Sequence, residues 1–207
     1  MHKHNGKLIL AEERQRLLCF EYLPNGSLDK YINDASAGLE WNKRYKIIKG
    51  ICEGLRYLHE NNIVHLDLKP ANILLNDNMI PKISDFGLSR SFEEMQSRIV
   101  TSTVVGSVGY MAPEFFNGEI TKKLDIYSLG VIIAEMLTGQ KGYSHVGKVI
   151  ECWKKRFGES TPATEMLLEQ IRACAEIRMS CGSLDPEKRP DIQQIIAALN
   201  ERPIDFG

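Results

Sequence analysis

The chain contains 207 residues, of which 26 are lysine or arginine and 27 are aspartate or glutamate, so its formal net charge is −1. This balance argues against a nucleic-acid-binding protein held by a basic surface, and a hydrophobic content of 43% argues against a disordered chain. The length allows one domain with a sizeable core, or two small ones. The most apolar stretch, residues 129–137, is shorter than the roughly 20 residues that a membrane-spanning helix needs, so no membrane span is predicted.

The cysteine pattern and the N-terminus bear on the cellular compartment. The five cysteines are odd in number and lack C-x-x-C spacing, which favours reduced, buried thiols over a disulfide framework or a zinc site. The first ten residues show no secretory signal pattern. We therefore expect a cytoplasmic protein.

Short elements are predicted first along the chain. The pattern at residues 7–23 indicates two strands on either side of a charged turn at 11–16. The Pro-Asn-Gly sequence at 24–26 then breaks the chain, and Ser27 suits the N-cap of a short helix over residues 27–34.

A longer helix and a hairpin are predicted next. Residues 42–62 have helical periodicity, with one apolar face formed by Ile48, Ile51, Cys52, Leu55 and Leu58. Two β-rich runs follow at 72–76 and 79–83, and Asp77-Asn78 between them favours a tight hairpin.

The remainder divides into a long connection and a helical region. Residues 85–114 are rich in Ser, Thr and Gly with little periodicity, and a connection of this length usually has a function. Helical patterns then occupy 125–138, 146–157, 164–181 and 190–200. This order predicts an α+β fold that is mainly helical.

Polar side chains bracket the predicted hairpin at its open end. Asp67, Lys69 and Asn72 precede the hairpin, and Asp85 follows it. Asn72 and Asp85 offer the oxygen ligands that Mg²⁺ accepts alongside phosphate oxygens. Asp67 is left to accept a proton or orient a hydroxyl, and Lys69 to neutralise charge on a phosphoryl group. Each residue alone reads as an ordinary polar turn residue, whereas all four at these spacings indicate a site.

The ordered motifs around this hairpin resemble those of eukaryotic protein kinases. Residues 65–72 read H-x-D-x-K-x-x-N, Asp-Phe-Gly begins 13 residues after Asn72, and Ala-Pro-Glu follows at 112–114. The phrases FEYLPNGSLDKYI at 20–32 and GLRYLHE at 54–60 are most similar to plant receptor-like kinases. The resemblance implies a kinase large lobe over residues 21–200. It also implies a remnant of the small lobe, its last strands, over 1–20 and a tail over 201–207.

The resemblance also implies roles for the site residues. Asp67 would be the catalytic base toward a substrate hydroxyl. Lys69 would contact the γ-phosphate of ATP, and its spacing from Asp67 resembles that of serine/threonine kinases. Asn72 and Asp85 would hold Mg²⁺.

The adenine of ATP would lie at the start of the large lobe. The backbones of Glu21 and Leu23 would hydrogen-bond adenine, Leu74 would form the floor of its pocket, and Phe20 would be the gatekeeper. These positions also follow only from the resemblance.

Seven further residues would support the site in the same way: His65, Phe86, Gly87, Ser107, Glu114, Asp125 and Arg189. Asp125 would begin the buried helix that anchors the catalytic loop, and Arg189 would pair with Glu114. Ser107 occupies a position that is usually Thr in the family, and its hydroxyl can still reach Asp67.

One departure from the family pattern concerns the phosphate-binding elements. The 207 residues contain no G-x-G-x-x-G and no V-A-I-K-type strand, and Lys3 and Lys7 are the only lysines before Glu21. Because phosphoryl transfer depends on positioning and electrostatics, we predict that this chain by itself is a very weak kinase or an inactive one. The surface around Ile73 and Leu74 is expected to be partly uncovered.

A second departure is Leu66, where the family often has an arginine that binds a phosphate on the activation loop. A leucine cannot form those bidentate hydrogen bonds. The chain therefore resembles the class of kinases in which loop phosphorylation is not read through this residue.

Two functions from different classes are compatible with the sequence. The first is a serine/threonine kinase lobe that transfers the γ-phosphate of ATP to protein hydroxyls with Mg²⁺. The second is a catalytically inactive, kinase-derived module that docks protein partners. The expected partners are ATP and a protein substrate or docking partner, not nucleic acid. A longer parent receptor would place the chain at the cytoplasmic face of a membrane.

Overall fold

The structure is a computed structural model that describes residues 2–4, 7–9, 18–32, 39–93, 96–141 and 145–201. Its strands are β1 (His2–His4), β2 (Lys7–Ile9), β3 (Ile63–Val64), β4 (Ile73–Leu75), β5 (Pro81–Ile83), β6 (Arg90–Ser91), β7 (Ile99–Val100) and β8 (Glu119–Ile120). They form four antiparallel pairs among the described residues: β1 with β2, β3 with β6, β4 with β5, and β7 with β8.

Helices make up most of the fold. They are α1 (Asp29–Ile32), α2 (Trp41–Glu60), α3 (Lys123–Thr138), α4 (Val146–Phe157), α5 (Pro162–Cys181) and α6 (Ile192–Asn200). Short 3-10 turns lie at Pro70–Asn72, Phe86–Leu88, Pro113–Asn117 and Pro186–Lys188. The predicted fold, α+β and mainly helical, is confirmed.

The apolar face predicted for the first long helix is buried along α2. Its five apolar positions are at most 7% exposed, and the indole nitrogen of Trp41 donates to Gln170 Oε1 at 2.9 Å, which joins α2 to α5. α5 and α6 each begin with a capping box, formed by Thr161 with Thr164 and by Asp191 with Gln194. These side chains satisfy backbone N–H groups that a helix start leaves unpaired.

The apolar run at 129–137 lies in α3, which is buried almost all round. A helix that is apolar on every side belongs in the core of a protein or in a membrane, and here α3 contributes to both hydrophobic clusters of the interior. In the described part of the chain, no helix is long and apolar enough to cross a bilayer.

Two hydrophobic clusters divide the interior. The main cluster joins the helices to β4. The second cluster consists of Val64, Leu66, Phe92, Ala112, Phe115, Ile120 and Leu124.

The N-terminal elements differ from the prediction. β2 pairs with β1, and residues 18–23 form no strand. A strand of alternating apolar residues needs a sheet partner to bury one face, and nothing in the described ranges pairs with residues 18–23. α1 begins at Asp29, two residues later than expected, and Ser27 forms a bridge with Leu74. Residues 33 and 34 of that predicted helix lie outside the described ranges.

The expectation of uncovered surface was wrong for Ile73. Its side chain is fully buried, whereas Leu74 is partly buried. The Ile73 side chain lies in the main cluster. Residues 26–28 also cover the edge of β4, where Leu28 N donates to Ile73 O at 2.8 Å and Leu75 N donates to Gly26 O at 2.8 Å.

All five cysteines carry thiols rather than disulfides. Cys52, Cys174 and Cys181 are buried, while Cys19 and Cys152 are exposed.

Candidate active site

The structure brings four of the predicted site residues into contact. Lys69 Nζ donates to Asp67 Oδ2 at 2.7 Å and to Ser107 Oγ at 2.7 Å. Asn72 Nδ2 donates to Asp67 Oδ2 at 3.1 Å and to the Asp67 backbone oxygen at 2.9 Å. The Asp67 carboxylate therefore accepts from both the Lys69 ammonium and the Asn72 amide. The same ammonium also donates to Ser107, in the long connection after the hairpin.

The Asp67 carboxyl is buried but held in its ionised form. Burial raises its pKa, but the hydrogen bond from Lys69, the nearby Ser107 hydroxyl, the positive charge of Lys69 and the Asn72 amide outweigh burial and lower the pKa below its usual range. Oδ1 of Asp67 has no hydrogen-bond partner among the described residues. A buried acceptor without a partner is costly, so this atom is suited to receive a donor from a bound molecule.

Asp125 anchors the loop that carries Asp67. This residue lies in the first turn of α3 and is fully buried. Its carboxylate accepts from the backbone N–H of His65 at 2.8 Å and of Leu66 at 3.0 Å. Leu66 has a φ of +68°, a left-handed conformation that is uncommon for a residue with a side chain.

His65 connects this loop to the exit of the hairpin. Its Nδ1 accepts from the backbone N–H of Asp67 at 3.3 Å, so its Nε2 is the donor to Ser84 O at 2.9 Å. The Phe86 ring packs edge-to-face on the His65 ring, with centroids 5.1 Å apart.

The open end of the hairpin places Asn72 and Asp85 on adjoining strand ends. Ser84 N donates to Asn72 O at 2.9 Å, and Asp85 follows directly. Asp85 is exposed and has a φ of +62°. A Cβ at Gly87 would lie 3.3 Å from Asp85 Oδ1, so Gly87 leaves space beside that carboxylate.

Glu114 and Arg189, which are 75 residues apart, form a bidentate ion pair. Arg189 donates from Nη1 to Oε1 at 2.5 Å and from Nη2 to Oε2 at 2.8 Å. Its Nε also donates to Ser183 O at 2.8 Å, and its guanidinium lies 5.0 Å from the centroid of the Tyr127 ring. The pair ties the Ala-Pro-Glu motif to the turn before α6.

The residues expected near adenine are Leu74 in β4 and the chain that precedes residues 26–28, which pair with β4. Glu21 is exposed and Leu23 is partly buried. Leu23 O accepts from Gly26 N at 3.1 Å, which closes the turn leading onto the β4 edge beside Leu74.

Sequence reasoning missed His59. Its Nε2 lies 3.1 Å from Asp125 Oδ2, so it is a third group on the carboxylate that anchors the loop. The signal was available, because His59 follows Leu55 by four residues on the apolar face of α2. A polar residue on a buried face needs a buried partner.

A second missed group joins the long connection to α3. Tyr110 Oη donates to Glu135 Oε1 at 2.5 Å, and Lys141 Nζ lies 4.2 Å from the centroid of the Tyr110 ring. Burial raises the pKa of Glu135, although the hydrogen bond from Tyr110 and the charge of Lys141 lower it. Glu135 interrupts an otherwise apolar helix, which was the sequence signal for a buried partner.

Comparison with known proteins agrees with the class that these motifs define. The protein kinase domain family matches residues 7–199, so the chain belongs to the protein kinase family. It is 38% identical to cysteine-rich receptor-like protein kinase 27 of Arabidopsis thaliana, over 96% of this chain and 34% of that protein.

Two other relatives give the same result. A cysteine-rich receptor-like protein kinase 10 of Oryza sativa subsp. japonica is 37% identical over 93% of this chain and 33% of its own length. The G-type lectin S-receptor-like serine/threonine-protein kinase RKS1 of Arabidopsis thaliana is 38% identical over 91% of this chain and 25% of its own length. All three relatives are receptor-like kinases by name, which agrees with the protein kinase family of this chain. The chain spans about a third or less of the length of these curated relatives.

Proposed function

We propose that this chain is the catalytic lobe of a serine/threonine protein kinase that transfers the γ-phosphate of ATP to hydroxyl groups of proteins. The observation that carries the proposal is the unpartnered Oδ1 of Asp67 in a site where Lys69 and Asn72 hold the other carboxylate oxygen. The same proposal takes residues 21–200 as the large lobe.

In this proposal Asp67 receives the substrate hydroxyl at Oδ1. Because its pKa is lowered, the carboxylate is ionised near neutral pH and can accept the hydroxyl hydrogen as a bond to phosphorus forms. Lys69 bonds both Asp67 and Ser107, so its ammonium lies beside the acceptor and can stabilise negative charge on the transferred group.

The oxygen ligands at the hairpin end fit Mg²⁺. Asp85 presents an exposed carboxylate, and Asn72 uses its Nδ2 on Asp67, which leaves Oδ1 as its ligand atom. Mg²⁺ is usually held by one or two such side chains together with phosphates and water. When bound, the ion would neutralise phosphate charge. Leu74, with the backbones of Glu21 and Leu23, would hold adenine.

We also propose that the 207 residues alone transfer phosphate slowly or not at all. The sequence supplies no glycine-rich loop or V-A-I-K lysine to hold the α- and β-phosphates. Catalysis of phosphoryl transfer depends almost wholly on such positioning.

Thermal unfolding with Mg-ATP tests the nucleotide site. Ligand at 100 times its Kd stabilises a protein by about 2.7 kcal/mol, so we expect a Mg²⁺-dependent rise in Tm that Asp85→Asn abolishes. The matched control is Asp77→Asn, which removes the same charge at the opposite, exposed end of the hairpin and should retain the rise. An equal rise in Asp85→Asn would contradict the assignment of this residue.

Phosphate transfer to a generic protein substrate is the second measurement. Asp67→Asn should abolish any transfer that the wild-type chain shows. Transfer at ordinary kinase rates, on the order of 1–100 s⁻¹, would refute the proposed weakness of the chain alone.

The alternative is an inactive module that docks protein partners. The observation in its favour is the exposure of Leu18, Phe20 and Tyr22, each at least 84% exposed, since exposed apolar patches often mark interaction sites. If millimolar Mg-ATP does not shift the Tm, on the order of kcal/mol of stabilisation being expected from a bound ligand, this alternative is favoured. The predicted cytoplasmic location stays a prediction under either function.

A further inference from the structure

Arg44, in the first turn of α2, is a buried arginine that is incompletely satisfied. Its side chain is 1% exposed. Nε donates to Leu39 O at 2.7 Å, and Nη1 donates to Met136 O at 2.8 Å. Nη2 is buried and has no hydrogen-bond partner in the part of the chain that the structure describes. Buried charges are normally paired and buried donors normally have acceptors, so this atom calls for a ligand.

A second guanidinium lies close to the first. The Cζ atoms of Arg44 and Arg156 are 5.8 Å and 4.7 Å from the centroid of the Trp153 ring. Burial and then the positive charge of Arg156 lower the pKa of Arg44 to about 10. Among the described residues, no carboxylate forms an ion pair with either arginine. Two positive charges therefore share one aromatic ring without an anion.

The start of α2 adds to this positive charge. Its N-cap residue, Glu40, makes no side-chain cap hydrogen bond, and the first turn contains no acidic residue. The first N–H groups of a helix lack partners within the helix and carry partial positive charge. Nε and Nη2 lie on the same edge of the planar guanidinium, and Nε points to Leu39 O, just before the helix. The unpaired Nη2 is therefore directed toward the N-terminal end of α2.

We propose that Arg44 and Arg156, together with the start of α2, form a binding site for a phosphate group. A phosphate dianion can accept hydrogen bonds from both guanidiniums and balance both charges, which one carboxylate cannot do. Arg156 is exposed, so the ligand would enter along its side chain.

This site is separate from the one that contains Asp67. α2 is 20 residues long and therefore spans about 30 Å. Arg44 lies near its first residue, whereas the loop that carries Asp67 follows its last one. The phosphate site consequently does not depend on the proposed kinase function.

Tryptophan fluorescence reports on the phosphate site. The chain has two tryptophans, Trp41 and Trp153, and their ring centroids are 5.3 Å apart. Inorganic phosphate is titrated into the full chain at constant ionic strength, because a general salt effect would otherwise resemble binding. We expect a saturable change in emission. An unchanged emission up to about 0.1 M phosphate would overturn the proposal.

Arg156→Gln tests the site with little risk to the fold, because this side chain is exposed. Loss of its charge-assisted hydrogen bond should raise the Kd for phosphate about tenfold. The matched control is Lys155→Gln, which removes an exposed positive charge at the preceding position of α4 and should change the Kd less than about twofold. Equal weakening in both variants would mean that phosphate responds only to the charge of α4, and would overturn the site.

Arg44→Lys tests the buried arginine. Lysine keeps the charge but lacks the planar fork of donors, so the Kd for phosphate should again rise about tenfold. If this variant does not fold, Arg156→Gln and its control still decide the question. An unchanged Kd in a folded Arg44→Lys chain would overturn the role of Arg44.

Two further ligands identify the chemistry and its source. Acetate should bind at least about tenfold more weakly than phosphate, and equal binding would overturn the choice of phosphate. A phosphoserine peptide that binds more tightly than inorganic phosphate would identify a phosphorylated protein as the ligand, and weaker binding would identify the free ion. Both of these last results support the site. None of the measurements uses ATP or catalysis, so their failure is distinguishable from a failure of the proposed function.

Discussion

At the scale of single residues, the site depends on buried charges that each have a partner. Asp125 accepts hydrogen bonds from two backbone N–H groups of the loop that carries Asp67, and Arg189 pairs with Glu114. A buried ion pair need not add much to stability, but removing one partner leaves a charge in a low-dielectric environment. Such sites are therefore sensitive to substitutions that barely change shape.

Glu114→Gln tests this sensitivity. The variant keeps the size of the side chain but leaves the Arg189 guanidinium, whose side chain is fully buried, without its counter-charge. We expect the free energy of unfolding to fall by about 3 kcal/mol in urea denaturation.

The control for that experiment is Glu119→Gln. Glu119 pairs with Arg98, and the two side chains are 32% and 56% exposed. Pairs of this kind contribute about 0–1 kcal/mol, so a loss similar to that of Glu114→Gln would contradict the role of burial.

At the scale of elements, the hairpin that carries the site lies against two glycines of α2. A Cβ at Gly50 would lie 2.6 Å from Pro81 Cγ, and one at Gly54 would lie 3.1 Å from Ile83 Cδ1. β5 approaches the helix this closely only because both positions lack a side chain. Packing on the surface of α2 therefore fixes the position of the hairpin. The position of Asp85, which follows β5, depends on the same packing.

Gly50→Ala should destabilise the protein. Alanine is normally better than glycine within a helix by about 1 kcal/mol, but here the methyl group overlaps the Pro81 ring, and overpacking costs about 1–3 kcal/mol. We expect a net loss in the free energy of unfolding. Gly147→Ala in α4, an exposed position with its nearest atom at 3.4 Å, should instead be neutral or stabilising.

Elements with strong local patterns were predictable from the sequence. The periodic face at Ile48 and Leu55 predicts α2, and Asp77-Asn78 between β-rich runs predicts the hairpin. The strand expected at residues 18–23 was wrong because its pattern required a pairing partner that the pattern cannot specify.

The site was predictable as a set of residues in order, but its geometry was not. The sequence predicts Mg²⁺-dependent phosphoryl transfer from the order of Asp67, Lys69, Asn72 and Asp85. The contact of His59 with Asp125 and the left-handed backbone of Leu66 arise from packing between α2, α3 and the loop. Local propensity carries no information on such long-range contacts.

At the scale of the whole molecule, one face departs from an ordinary protein surface. Leu18, Phe20 and Tyr22 alternate along the chain and are 84–85% exposed. They lie beside the turn that leads onto β4, next to the proposed nucleotide site. Exposed apolar side chains so close together in the chain favour self-association or a bound partner.

Replacing all three of these residues with serine should reduce self-association. We expect the wild-type chain to bind an apolar-surface dye and to form oligomers at high concentration in sedimentation velocity, and the triple variant to do neither. Tyr57→Ser, at an exposed position on α2 with 64% exposure, is the control for the loss of one exposed aromatic ring. A wild-type chain that is monomeric and does not bind the dye would contradict the prediction.

Because three thiols are buried and two are exposed, the labelling of cysteines can measure local opening of the chain. Burial raises the pKa of Cys181 to about 12 and raises that of Cys52, and only the thiolate is reactive. A short pulse of alkylating reagent should therefore label Cys19 and Cys152 at once, and Cys52, Cys174 and Cys181 only when the helices that bury them separate. Mass spectrometry would then give the labelled fraction of each cysteine, which measures how often the surrounding helices open, without any introduced probe.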